Sequence, residues 1–247
     1  MKAAPKDQQR LLDLQELDSS LDRLAHRRRH LPELAELAAL QERTGELRDR
    51  LVTAETDVSD LDREQAKAEQ DVDQVRVRAE RDSKRLDSGM VTSAKDLASL
   101  QSELASLQRR QGDLEEVVLE IMERREEAGG RVTALRAEQA ELDAALEEVK
   151  ARKAGAEREI DGQIELTRSA RTGVAADIPA DLLALYEKLR DQFGGVGAAP
   201  LTRGQCQGCR LALNTSDLNR IRAAAPDDIV RCEECRRILV RTAESGL

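Results

Sequence analysis

The sequence predicts a mainly α protein: a long antiparallel two-helix coiled-coil hairpin followed by a small C-terminal domain of different character. Three observations carry this. The 247 residues are 36% charged and include only two aromatics, Tyr186 and Phe193, which cannot fill an ordinary globular core of that length. The apolar residues are not scattered as in a disordered chain but recur at the 3.5-residue period of a supercoil seam. All four cysteines arrive late, as two close pairs.

The first seam alternates steps of four and three through Leu47, Leu51, Ala54, Val58, Leu61, Gln65, Ala68, Val72, Val75, Ala79, Asp82 and Leu86, and ten of these twelve are apolar. A second runs from Leu97 through Leu100, Leu104, Leu107, Gln111, Leu114, Val118, Ile121 and Arg125, and on past Ala128, Leu142 and Val149 to Ile160. Both are too long to be chance. The segment between them, residues 87–95, breaks the repeat and holds Gly89 among small polar residues, so the chain reverses there. From that turn the arms reach back to Leu11 and forward to Arg171, about 76 residues each, or on the order of 115 Å at the α-helical rise. Equal arms argue for an intramolecular hairpin occupying residues 1–175.

Two irregularities refine this. Gln111, Arg125, Gln139 and Lys153 put a polar residue at every second position of one seam row, which either fixes register and partner choice or reflects long side chains snorkelling out of the seam. Near the N-terminus, Leu14, Leu17, Leu21 and Leu24 project to Ala38, whereas the later register demands Leu37. Pro32 lies at the mismatch, so a kink or short break is expected over residues 28–36.

Residues 176–195 read as a connector and a short amphipathic helix through Leu182, Leu185, Tyr186 and Leu189, ended by Gly194-Gly195. This helix carries both aromatics, so it is expected to pack the final domain, residues 196–247, against the base of the hairpin.

In that domain Cys206-Gln207-Gly208-Cys209 and Cys232-Glu233-Glu234-Cys235 form two Cys-x-x-Cys pairs. Two intervening residues let both thiolates of a pair bind one tetrahedral ion, so Cys206, Cys209, Cys232 and Cys235 are read as the ligands of one structural Zn2+, a C4 zinc ribbon. Redox dithiols are the competing reading, and the sequence lacks their βαβ context. Leu211-Ala212-Leu213, Ile229-Val230 and Ile238-Leu239-Val240 suggest strands, with a helix through Leu218 and Ile221 capped by Thr215 or Ser216.

Charge is segregated. Residues 201–247 hold eight arginines and no lysine against six acids, a balance of +2, which leaves −11 of the total −9 on residues 1–200. Arg203, Arg210, Arg220, Arg222, Arg236 and Arg237 are candidate contacts for a protein partner or for nucleic acid, although arginines beside the cysteines also offset the −2 of a four-thiolate zinc. Arg220 and Arg222 are expected to serve the partner, and Arg236 the metal. No aromatic in the ribbon is available to stack a base. His26 and His30, one helical turn apart around three arginines, form a basic collar.

Gly204-Gln205-Cys206-Gln207-Gly208-Cys209-Arg210-Leu211-Ala212-Leu213, then Asp227-Asp228-Ile229-Val230-Arg231-Cys232-Glu233-Glu234-Cys235-Arg236-Arg237-Ile238-Leu239, resemble a bacterial family of C4-type zinc-ribbon proteins with an N-terminal coiled-coil hairpin. Residues 182–190 and Ser93-Ala94-Lys95-Asp96-Leu97 look like that family too. The resemblance implies a zinc-bound ribbon on a helical hairpin with no enzymatic activity. Some members are associated with transcription or flagellar gene control, and the flagellar role does not carry over to bacteria without flagella.

The sequence therefore points to a non-enzymatic adaptor: four cysteines close the metal sphere, and no phosphate loop or nucleophile motif is present. A purely protein-protein scaffold with a structural zinc is the alternative. No small-molecule substrate is expected. Neither a signal-peptide core nor a membrane span can be read, and a cytoplasmic protein is expected.

Overall fold

A computed structural model describes residues 1–247. The elements run α1 (Pro5–Arg29), α2 (Pro32–Asp87), α3 (Ala94–Ala176), α4 (Ala180–Gln192), β1 (Ala198–Thr202), β2 (Gln205–Cys206), α5 (Thr215–Ala223) and β3 (Ile238–Val240). They form two compact units, one of residues Glu36–Lys150 and one uniting Met1–Ala35 with Ala151–Leu247.

The first unit is a helical hairpin of α2 and the N-terminal part of α3. Each seam position of α2 named above is buried or half-buried, with solvated neighbours on nearly every side. Leu61, Ala68, Ile121 and Ala128 pack together, flanked by Val58 and Val118. Ion pairs Arg136–Glu55, Arg125–Asp62 and Arg78–Glu103 run antiparallel across the arms. Arg125 explains one polar intruder: it leaves the seam and reaches a carboxylate on the facing helix. Gly89 turns the chain in the left-handed region, φ 66°, which glycine enters without a steric penalty.

The second unit carries the expected break. Helix α1 ends at Arg29 and α2 begins at Pro32, because Pro32 has no N–H to continue the ladder. Downstream Leu37 is half-buried and Ala38 exposed, so the later register holds. Here α1 and α4 form a core with one face of the small sheet: Leu11, Leu14, Ile178, Leu182, Tyr186 and Leu189 enclose Ala198, Ile238 and Val240. Burying each large side chain contributes on the order of 1.5–3 kcal/mol.

The sheet has the order β2-β1-β3. Strand β1 pairs antiparallel with β2 and parallel with β3, with Ala198 opposite Ile238. Successive residues alternate between faces, and the second face, with Ala199, Leu201 and Leu239, joins Cys206, Cys232, Leu213 and Ile221 in a separate cluster. The ribbon thus shares its sheet between the helices and the cysteine site.

Polar bonds complete the union. Gln15 accepts from the Gly197 N–H at 2.7 Å and donates to the Gly195 carbonyl at 2.9 Å. Gly197 is packed so closely that a Cβ there would lie 2.6 Å from the Tyr186 carbonyl oxygen. Buried Asp18 accepts from Arg171 Nε at 2.6 Å and from the Tyr186 hydroxyl at 2.7 Å, and burial first, then Asp18, hold the Tyr186 phenol far above its ordinary value. The N-terminal residues are tied in as well: Ala3 N–H donates to Asp227 O at 2.8 Å, and Ile229 N–H to Met1 O.

Candidate metal centre and basic surface

Both Cys-x-x-Cys segments adopt one backbone shape. In the first, Arg210 N–H donates to Cys206 O at 2.7 Å and Cys206 N–H to Leu211 O at 3.0 Å; in the second, Arg236 N–H donates to Cys232 O at 2.9 Å and Cys232 N–H to Arg237 O at 3.0 Å. The flanking side chains repeat the pattern, Gln205 Nε2 donating to Arg210 O at 2.6 Å and Arg231 Nε to Arg236 O at 2.7 Å. These tight turns aim amides at sulfur, with the Cys209 and Gly208 N–H groups directed at Cys206 and those of Cys235 and Glu234 at Cys232.

The four sulfurs lie within 4.8 Å of one another. Cys206 and Cys235 Sγ are 3.8 Å apart, and Cys209 and Cys232 Sγ 3.9 Å. A tetrahedron with metal–sulfur bonds of about 2.3 Å has edges of about 3.8 Å, so the residues present fit one zinc ion. In the metal-free chain, burial pushes the Cys206 thiol up to about 12 and raises Cys232. Burial of Cys235 acts the same way, but donors from Arg237 and neighbouring thiols leave its value lowered. Clustered thiolates need a cation, and four of them complete its coordination without an open position.

The candidate arginines separate into two groups. Arg220 is paired with Asp217 and Glu233, at 2.9 and 2.7 Å, and Arg222 donates to Asn219. Arg237 is engaged in the fold, donating to Phe193 O at 2.8 Å and Val196 O at 2.9 Å, with its guanidinium over the Phe193 ring. Arg203, Arg210 and Arg236 are exposed and without a side-chain partner. Sequence reasoning did not single out Arg241, whose guanidinium gathers the carbonyl of Ile221 in the last turn of α5 and those of Ala224, Ala225, Pro226 and Asp228 beyond it. No local pattern marks such a residue. The cap of α5 is Asn214, accepting from Asp217 N–H at 2.8 Å, instead of Thr215 or Ser216, and Leu211-Ala212-Leu213 contributes only a single bridge, Ala212 to Gln205.

A long helical hairpin joined to a four-cysteine knuckle pair defines a class of zinc-ribbon proteins. The CT398-like coiled coil hairpin domain matches residues 14–194, and the C4-type zinc ribbon domain residues 205–239. The chain belongs to this hairpin family, and its ribbon holds one structural zinc through Cys206, Cys209, Cys232 and Cys235. It is 41% identical to the protein Rv2229c of Mycobacterium tuberculosis, over 98% of both chains. A solved structure from Mycobacterium smegmatis shares 39% identity, covers 98% of this chain and 100% of its own, and superimposes with a TM-score of 0.87. CT398 from Chlamydia trachomatis shares the fold at 20% identity, with a TM-score of 0.69 over 96% and 98% of the two chains. No helix is long and apolar enough to cross a membrane.

Proposed function

We propose that the protein is a non-enzymatic, cytoplasmic zinc-binding adaptor. Its ribbon contacts nucleic acid or a transcription-associated protein, and its coiled coil contacts protein partners. The observation that carries this reading is a closed four-sulfur metal site bordered by exposed cations that are all arginine, among them Arg203, Arg210 and Arg236. Zinc with four protein ligands shapes a surface and has no position for a substrate or water. Arginine forks suit bidentate contact with phosphate or carboxylate. The hollows along α2 and α3 are open grooves rimmed by charged side chains such as Asp62, Glu69, Glu123 and Arg125, which suits protein contacts better than capture of a small molecule.

A purely protein-binding scaffold draws support from Arg237 and Arg241, whose guanidiniums serve the fold. Binding of the zinc-loaded chain to labelled oligonucleotides across a salt series separates the two. The adaptor reading expects log affinity to fall with log salt, and a slope near zero would favour the scaffold.

A further inference from the structure

Three non-glycine residues in the chain occupy the left-handed backbone region, and all three are arginines of the ribbon: Arg203 at φ 47°, Arg210 at φ 61° and Arg236 at φ 63°. A residue with a Cβ pays about 1 kcal/mol or more to stay there, and glycine or asparagine is the usual occupant. Arg210 and Arg236 hold equivalent places, each directly after the second cysteine of its knuckle, where the turn needs only the backbone N–H that reaches Cys206 O or Cys232 O. Glycine would supply that bond equally well. Arg203 sits in the turn from β1 to β2, on a depression of about 520 Å3 lined also by Thr202, Gln205, Gln207 and Glu244.

The side chains are not repaid within the fold. All three are exposed and none bonds to a protein group, whereas Arg220, Arg222, Arg231, Arg237 and Arg241 each have internal partners. Backbone strain held at exposed, unpartnered side chains of one kind marks them as working groups. They also leave from one part of the ribbon. Arg210 and Arg236 each adjoin a cysteine of a four-sulfur cluster that spans less than 4.8 Å, and Arg203 lies three residues before the first ligand, with Gln205 between them bonded to the Arg210 carbonyl.

We propose that Arg203, Arg210 and Arg236 are the guanidiniums through which the ribbon grips the phosphate backbone of a nucleic acid. This rests on the reading of the ribbon as a nucleic-acid contact and names the residues and the chemical group involved. Phosphate is favoured over a base because the three forks are exposed and the ribbon has no aromatic side chain on which a base could stack. Recognition is therefore insensitive to base sequence and sensitive to salt.

The test uses the full zinc-loaded chain and labelled single-stranded and duplex oligonucleotides. In R203G/R210G/R236G the backbone strain is relieved, so the melting temperature should equal or exceed that of the parent. Binding should nevertheless fall at least about tenfold, and the log–log salt slope should flatten by about 2–3, the loss of three phosphate contacts. A glutamine triple variant, which keeps the stems and the strained backbone but removes the charge, should lose binding to the same extent. R220A/R222A should bind like the parent. Undiminished binding by the glycine variant, loss by glycine but not by glutamine, or a loss confined to R220A/R222A would each overturn the assignment while leaving the nucleic-acid reading in place. Polyglutamate competing as well as an oligonucleotide of equal charge would replace phosphate by an acidic protein. Failure of the parent chain to bind either oligonucleotide would remove the broader reading itself.

Discussion

Replacing Asp18 by alanine should loosen the union of α1, α3 and α4 about as much as truncating a fully buried leucine such as Leu14. The Asp18 side chain is 3% exposed and has Arg171 Nε at 2.6 Å and Arg190 Nε at 3.4 Å, with the Tyr186 hydroxyl at 2.7 Å. Removing one member of a buried ion pair costs about 3–5 kcal/mol, and an orphaned buried hydroxyl about 1–3 kcal/mol. Both figures must be reduced here. The two arginines are each 26% exposed and retain Glu187 and Asp22 as partners, and Tyr186 can still reach Gln15. A net loss of about 2–4 kcal/mol remains, which at roughly 3 °C per kcal/mol for a unit of this size lowers its melting temperature by about 6–12 °C. Thermal unfolding followed by near-ultraviolet signal from Tyr186 reads that unit directly. Asp18→Asn should be nearly as damaging, because the amide keeps the shape but not the charge. A fall below about 1 kcal/mol in both variants would refute the reasoning.

Other expectations follow from single contacts. A cysteine at Leu61 should cross-link within one chain to a cysteine at Ala128, its neighbour in the seam; cross-links formed only between chains would contradict the intramolecular hairpin. Arg241→Ala removes a donor shared by five carbonyls, of which Ala225 O keeps the Asp228 N–H and Pro226 O keeps Gln8 Nε2, and should destabilise the ribbon by about 2–3 kcal/mol, visible as faster amide exchange in α5; unchanged exchange would count against it. Zinc affinity should fall as pH drops, because each proton that reclaims a thiolate opposes the metal. Competition with a chromophoric chelator between about pH 6 and 8 checks the sign, and an affinity that stays flat or rises on acidification would contradict it.

The heptad pattern was legible because a two-helix seam has one physical solution: each position it names in α2 is buried or half-buried. The cysteine pairs were legible because two-residue spacing is set by metal geometry. What escaped lies where tertiary contacts decide. Strand β1, Ala198-Ala199-Pro200-Leu201-Thr202, has no run of β-branched residues and contains proline, and it exists because β3 and the α1–α4 core bracket it. Gln15 and Asp18 look like solvated helix positions, and only the arrival of Gly197, Arg171 and Tyr186 makes them interior. The arginines could be listed as candidates from charge alone. Separating Arg203, Arg210 and Arg236 from Arg237 required backbone angles and partners that composition does not encode.

Metal analysis coupled to amide exchange tests the central claim, a structural zinc that organises one half of a sheet whose other half belongs to the helices. The purified chain should hold about one zinc, and chelation or Cys232→Ser should release it. Exchange should then rise in the knuckles and α5, around Leu213 and Ile221, while α1, α4 and the Ala198–Ile238 pairing stay protected and the helical signal is largely kept. A zinc-free chain with knuckle amides as protected as in the loaded protein, or a Cys232→Ser variant that keeps its full zinc, would contradict the account.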